Sequence, residues 1–234
     1  MKRLVRYLLA IDRRWLLTWA AIYVGFATMG AFFPDFIGVT VLKIVGIALC
    51  LVYAMAKFKK DALLTIALAL TLLADVILAI DSVSIIGVFT FCFVQFFHTA
   101  RLKQTKPVVL VFYVLIAAIV FLVAVWLKVN PMYAAAGIYA YGIFSNVFFA
   151  ASWFFSRRSV QSACAAVGFL LFILCDFCVA GSYLSATAVL PLAVKPFMDY
   201  FAWIFYYPSQ VLIANSSELA ATSKKPRKKL APSA

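Results

Sequence analysis

The sequence predicts an all-α fold, a polytopic transmembrane helical bundle of about eight spans with both termini in the cytoplasm. Two bulk properties carry this fold class: 67% of the 234 residues are hydrophobic, and the mean hydropathy is +1.06. Apolar runs of about twenty residues, the length of a helical membrane crossing, recur along the whole chain. The loops between these runs are too short for a separate soluble domain.

Each span follows from one such run, and the polar segments outside the runs define the rest of the chain. The predicted spans are 15–33, 37–56, 62–80, 85–101, 108–127, 132–155, 160–183 and 197–214. Residues 1–14 form a basic cytoplasmic N-terminus, residues 15–214 the transmembrane domain and residues 215–234 a basic, disordered cytoplasmic tail.

The net charge of +13 reflects membrane orientation, because the basic residues alternate with the loops. One side of the membrane receives Lys2, Arg3, Arg6, Arg13, Arg14, Lys57, Lys59, Lys60, Arg101, Lys103, Lys106, Arg157, Arg158, Lys224, Lys225, Arg227, Lys228 and Lys229. The opposite side receives only Lys128 and Lys195. This bias predicts a multi-pass protein of the cell membrane with cytoplasmic termini, and it argues against a nucleic-acid partner.

The five cysteines do not indicate a disulfide framework or a metal centre. Cys50, Cys92, Cys164, Cys175 and Cys178 all lie within predicted spans, where thiols behave as small apolar groups. The spacing of Cys175 and Cys178 places both on one helix face without a redox-type context. With no nucleotide-binding glycine pattern and no metal-ligand cluster, we expect no cofactor and an activity resistant to chelators.

Two aspartates inside apolar spans are the most informative residues of the chain. Asp75 lies in LLADVILA and Asp176 in ILCDFCVA, in the third and seventh spans. Because hydrocarbon disfavours a bare carboxylate, each must find a partner, line a wet cavity or stay protonated. Their matching positions, roughly 21 and 24 Å from the cytoplasmic edge at the rise of a helix, also suggest a four-plus-four repeat.

The other polar residues of the spans are few, and their shared helical faces should point into the bundle. They are Lys43, Gln95, His98, Asn146, Tyr206, Tyr207 and Gln210. For Gln95, Asn146 and Gln210 the simpler interpretation is interhelical hydrogen bonding that holds the bundle together, and a site role stays open. For His98 two interpretations remain open: a hydrogen-bond donor in the protein core and a residue of the functional site. Lys43 either extends its ammonium to the membrane surface or pairs with an aspartate or a phosphate.

With these residues in place, the chain resembles the YhhN-like lysoplasmalogenase family of eight-span membrane proteins. The resemblance covers most of the membrane domain and rests on Asp75 with the stretch from Gly87 to His98, on FILCDFCVAGSYL around Asp176, and on the terminal YYPSQVLIANS. Lys43 corresponds to the family's lysine at the start of the second span.

The resemblance implies hydrolysis of the vinyl ether of lysoplasmalogens to a fatty aldehyde and a glycerophospho head group. Asp75 and Asp176 would then be the catalytic acid and base, in an order that the sequence leaves open. His98, Tyr207 and Gln210 would orient water or the head group, and Lys43 would meet the phosphate of the lipid.

Three other functions remain open from the residues alone. An intramembrane aspartyl protease also uses two aspartates, but the Gly-x-Gly-Asp setting of such proteases is not present here. A transporter or lipid-binding protein would use Asp75 and Asp176 to hold a proton, a cation or a cationic substrate. In a purely structural bundle, replacing both aspartates with asparagine would leave function unchanged.

Overall fold

The protein is all-helical, as the sequence predicts. A computed structural model describes residues 13–33, 36–58, 61–81, 84–102 and 107–217. It is 90% helical, with no strand in these ranges. Both predicted terminal segments, apart from residues 13 and 14 and residues 215–217, lie outside the described residues.

Eight long helices match the eight predicted spans. They are α1 (Arg13–Phe32), α2 (Ile37–Lys57), α3 (Ala62–Ile80), α4 (Ile85–Leu102), α5 (Pro107–Trp126), α6 (Pro131–Arg157), α7 (Val160–Ala186) and α8 (Lys195–Ala214). A short 3-10 helix, Leu192–Val194, precedes α8. Six of the eight are long and apolar enough to cross a membrane, while α5 contributes the shorter apolar stretch Leu110–Trp126. The protein is therefore a multi-pass membrane protein.

Local sequence signals fix several helix ends. Asp61 caps α3 by accepting a hydrogen bond from the backbone N–H of Leu64. Asn130 caps α6 in the same way through Met132. Ser159 and Ser162 form a reciprocal capping box at the start of α7. These side chains satisfy backbone donors that the first turn of a helix leaves without a partner.

Six helices form a closed ring, and two pack on its outside. Around the ring, α2 contacts α3, α3 contacts α4, α4 contacts α6, α6 contacts α7, α7 contacts α8, and α8 returns to α2. Helix α1 packs against α2 and α8, and α5 packs against α6 and α4. Helices α1–α4 and helices α5–α8 thus occupy equivalent places in the bundle. A four-plus-four repeat would produce this pattern. The repeat itself stays a prediction.

The two ends of the ring differ in their polar residues, and we name them after one residue each. The Lys195 end, where α8 begins, carries Lys195 and Asp199, whose side chains are 2.7 Å apart. At the Arg101 end, where α4 finishes, Arg101 pairs with Asp61 at 3.8 Å and donates a hydrogen bond to Ser216 at 2.8 Å. The Arg101 end thereby ties α3 and α4 to the residues that follow α8.

A proline inside α8 removes one backbone hydrogen bond of that helix. Pro208 has no N–H to donate to the carbonyl of Ile204 four residues earlier. The hydroxyl of Tyr23 in α1 donates to that carbonyl at 3.4 Å. Helix α1 thus supplies a side-chain donor where α8 lacks a backbone donor.

Candidate active site

Asp75 is buried in the ring and is held by one tyrosine. The residue is 8% exposed, and its carboxyl group accepts a hydrogen bond from the hydroxyl of Tyr206, which lies 2.9 Å from Oδ1 and 2.8 Å from Oδ2. This contact joins α3 to α8, two helices that are not neighbours around the ring. The aspartate therefore points into the ring interior and not towards lipid.

Asp176 has the same kind of partner from a different helix. It is half-buried, and the hydroxyl of Tyr139 in α6 donates to its carboxyl group at 2.9 Å from Oδ1 and 2.8 Å from Oδ2. Each intramembrane aspartate thus finds a partner, as its apolar setting requires. The two partners come from helices on either side of α7.

The two aspartate–tyrosine pairs lie on either side of Cys175 and its neighbouring aromatic rings. The thiol of Cys175 lies within electrostatic range of both carboxyl groups, and the hydroxyls of Tyr206 and Tyr139 are within electrostatic range of each other. Aromatic rings fill the space between the pairs: Phe172 lies 5.5 Å from Tyr206 and 6.3 Å from Phe91, which lies 6.0 Å from Tyr139, all between ring centroids.

A buried amide network lies beside the Asp176 pair. The side chain of Gln95 is close to Tyr139, although its Nε2 has no hydrogen-bond partner in the described part of the chain. Its Oε1 accepts a hydrogen bond from Asn146 at 2.8 Å. Asn146 in turn accepts one from Thr99 at 2.9 Å. This is the interhelical hydrogen bonding that the sequence predicted for Gln95 and Asn146. The network joins α4 to α6 beside the Asp176 pair.

Lys43 lies at the Lys195 end of the same site. Its ammonium group is 4.4 Å from the centroid of the Trp203 ring, and Asp199 is within electrostatic range. Asp199 itself accepts hydrogen bonds from Ser182 and Lys195. The Trp203 ring stands perpendicular to that of Tyr206, with centroids 5.1 Å apart. Lys43 is therefore two aromatic rings away from the carboxyl group of Asp75.

The other predicted site residues lie deeper and elsewhere. His98 and Gln210 are fully buried towards the Arg101 end, where the His98 ring meets Phe169 edge-on at 5.1 Å. Tyr207 points towards α1 and α2: its ring lies 5.4 Å from that of Phe26 and covers Gly46, where a side chain would collide with it. Its neighbour Tyr206, and not Tyr207, holds Asp75.

Sequence reasoning missed the role of both tyrosine partners. Tyr206 was recognised only as a polar residue of the last span, and Tyr139 was not singled out. Tyr139 lies in a span with further tyrosines at 133 and 141, so only the helix packing distinguishes it. All five cysteines are free, as expected. Within the described ranges, no group of three metal-ligating side chains occurs.

The comparison with protein families shows the family of the chain. A model of the YhhN family matches residues 38–217. The chain belongs to the YhhN family. No curated protein and no solved structure matches it. The YhhN match includes both aspartates, both tyrosine partners and all six helices of the ring, and it leaves out α1 and the basic tail.

Proposed function

We propose that this YhhN-family protein is a membrane hydrolase that cleaves the vinyl-ether bond of lysoplasmalogens to a fatty aldehyde and a glycerophospho head group. The observation that carries the proposal is the pair of intramembrane aspartates, each accepting a hydrogen bond from a tyrosine of another helix of the ring. Catalysis then depends on Asp75 and Asp176 as an acid/base pair.

Vinyl-ether hydrolysis suits two carboxyl groups in an apolar site. A protonated carboxyl adds its proton to the ether's β-carbon, which leaves an oxocarbenium-like cation on the carbon that bears the ether oxygen. The ionised carboxyl stabilises this cation and takes a proton from the water that attacks it. The resulting hemiacetal separates into the aldehyde and the free hydroxyl of the head group. One water is consumed, and the proton returns to the carboxyl pair.

Tyr206 and Tyr139 position the two carboxyl groups for this reaction. A hydroxyl donor shared between two carboxylate oxygens stabilises negative charge and fixes the plane of the carboxyl group. In a medium of low dielectric such hydrogen bonds are stronger than in water. Because the donors come from α8 and α6, closure of the ring sets the separation of the reacting groups.

In this proposal Lys43 binds the phosphate of the lipid. Its ammonium lies against Trp203, and no carboxylate of the described residues is within ion-pairing distance of it. Trp203 and Tyr206 are one helical turn apart on α8, about 4.5 Å along the axis, which is the scale of a glycerol backbone. A head group at Lys43 would thus place the vinyl ether at Asp75, with the alkenyl chain among the aromatic rings.

The positions of His98, Tyr207 and Gln210 suggest different orienting roles for them. His98 and Gln210 lie on the Arg101 side of the aspartates, away from Lys43, and would act on water. Tyr207 faces α1 and α2 and would act only indirectly, by supporting Tyr206 on the same turn.

The test is aldehyde release by the purified full-length protein in detergent or nanodiscs. An alkenyl lysophospholipid is compared with its saturated-ether analogue, and the aldehyde is measured by mass spectrometry. We expect release from the vinyl ether alone. Binding of the lipid by folded protein without aldehyde release would instead favour the non-enzymatic alternative, a lipid-binding protein or transporter that uses the same aspartates.

A further inference from the structure

The half of the ring nearer the Arg101 end contains buried polar atoms that the protein itself leaves without a partner. Among the described residues these atoms include both ring nitrogens of His98, Oε1 of Gln210, Nε of Arg101 and Oγ of Ser217. His98 and Gln210 have no exposed surface. They lie on the Arg101 side of the aspartate pairs, whereas Lys43 lies on the Lys195 side.

Such atoms require a small polar ligand. An imidazole always offers either one donor and one acceptor or two donors. Leaving both nitrogens without a partner in a membrane interior is as costly as losing hydrogen bonds outright. Water is the ligand that satisfies several buried groups of mixed donor and acceptor character at once.

His98 and Gln210 flank the same turn of α7, although they come from α4 and α8. The His98 ring contacts Phe169. Its neighbour Gly168 packs so closely on α8 that an added Cβ would lie 3.2 Å from the backbone oxygen of Ser209, next to Gln210. The two unpartnered side chains therefore converge on one level of the ring.

Polar groups continue from this level in both directions. Towards the aspartates, Thr99, Asn146 and Gln95 form a hydrogen-bonded network beside Tyr139, whose hydroxyl donates to Asp176. Towards the opposite end, Arg101 is one turn from His98 on α4 and pairs with Asp61. Arg101 is the charged group recorded within electrostatic range of His98 among the described residues.

We propose that this half of the ring is a hydrated chamber, lined by His98 and Gln210, which delivers water to Asp75 and Asp176 from the Arg101 end. The use of that water rests on the proposed hydrolase function, in which each vinyl ether consumes one water. The lipid is then held at the Lys43 end, and its second substrate arrives from the opposite, cytoplasmic end.

Hydroxyl-radical footprinting of the full chain in lipid nanodiscs, without substrate, tests the chamber directly. We expect His98 and Phe169 to be oxidised several-fold faster than Tyr113. Tyr113 is also buried, but it lies outside the ring and donates its hydroxyl to the carbonyl of Cys92 at 3.3 Å. Oxidation of His98 and Phe169 no faster than that of Tyr113 would overturn the proposal.

Two variants test whether the water is used. Gln210→Leu and His98→Phe should each reduce oxidation of Phe169 and lower kcat roughly tenfold with KM unchanged, the loss of about one hydrogen bond. Thr90→Val is the matched control, because the Thr90 hydroxyl bonds only within α4, to Ile86, outside the chamber.

The two variants and the footprint distinguish a failure to fold, a failure of the supply role and a failure of the hydrolase proposal. Gln210→Leu preserves the test if His98→Phe does not fold. Lost oxidation with unchanged kcat would exclude a supply role. If the wild-type protein releases no aldehyde, the hydrolase proposal fails, while the footprint alone still decides whether the chamber holds water.

Discussion

At the scale of single residues, the proposed chemistry depends on one hydroxyl beside each carboxyl group. Tyr206→Phe and Tyr139→Phe each remove a hydrogen bond to an aspartate, worth about 1.5–3 kcal/mol for a charged acceptor. We expect kcat to fall roughly 10- to 150-fold, with the fold retained. Steady-state kinetics on the alkenyl lysophospholipid measures this effect.

Tyr113→Phe is the control for these variants, since the Tyr113 hydroxyl bonds the backbone carbonyl of Cys92 and not an aspartate. It should leave kcat within about twofold of the wild type. Equal losses in Tyr113→Phe and Tyr206→Phe would contradict a specific role for the aspartate–tyrosine pairs.

Lys43 should affect binding more than chemistry. Lys43→Gln removes the cation that we place at the phosphate, so KM should rise roughly 10-fold or more while kcat changes little. Lys128→Gln removes a lysine from the turn between α5 and α6 and should change neither constant. A fall in kcat without a change in KM would place Lys43 at the reacting bond.

The aspartates were predictable from the sequence because an ionisable residue in an apolar run is rare and costly. Their partners were not, since a hydrogen bond between α3 and α8 depends on which helices meet. The same limit applies to Lys43: its place near the start of α2 was expected, but its contact with Trp203 required the fold. Tyr207 and Tyr206 are adjacent in sequence, and only the rotation of α8 shows which one faces Asp75.

At the scale of helices, the α7–α8 contact depends on one glycine. A Cβ added at Gly168 would lie 2.9 Å from Cγ1 of Ile213 and 3.2 Å from the oxygen of Ser209. Gly168→Ala should therefore push α8 away and destabilise the protein by about 1–3 kcal/mol. Thermal unfolding in detergent should show a lower midpoint.

Gly137→Ala is the matched helical control, because a Cβ there would meet only Val120, at 3.9 Å. Alanine's higher helix propensity should leave its midpoint unchanged or raised. A lower midpoint for Gly137→Ala than for Gly168→Ala would contradict close packing of α7 against α8 at Gly168.

The eight helices end within three residues of their predicted bounds. This agreement reflects how strongly the length of an apolar run determines a membrane helix. The order of helices around the ring was not predictable, because helices that are apolar on all sides carry little information about which face meets which neighbour.

At the scale of the whole molecule, orientation in the membrane is the property that the charge pattern predicts. Both termini and the Arg101 end should face the cytoplasm, and Lys43 and Lys195 the opposite side. Protease treatment of vesicles of known sidedness, with an epitope tag at either terminus, should cleave both tags only from the cytoplasmic side. Protection of one tag and cleavage of the other would require an odd number of spans.

In the proposed reaction Asp75 and Asp176 act together as the acid and the base. The most direct measurement is aldehyde release from an alkenyl lysophospholipid by Asp75→Asn and Asp176→Asn, with Asp81→Asn at the end of α3 as the control. We predict that each of the first two loses roughly 10²- to 10⁴-fold in kcat while remaining folded, and that Asp81→Asn retains activity. Full activity in either Asp75→Asn or Asp176→Asn would contradict the claim.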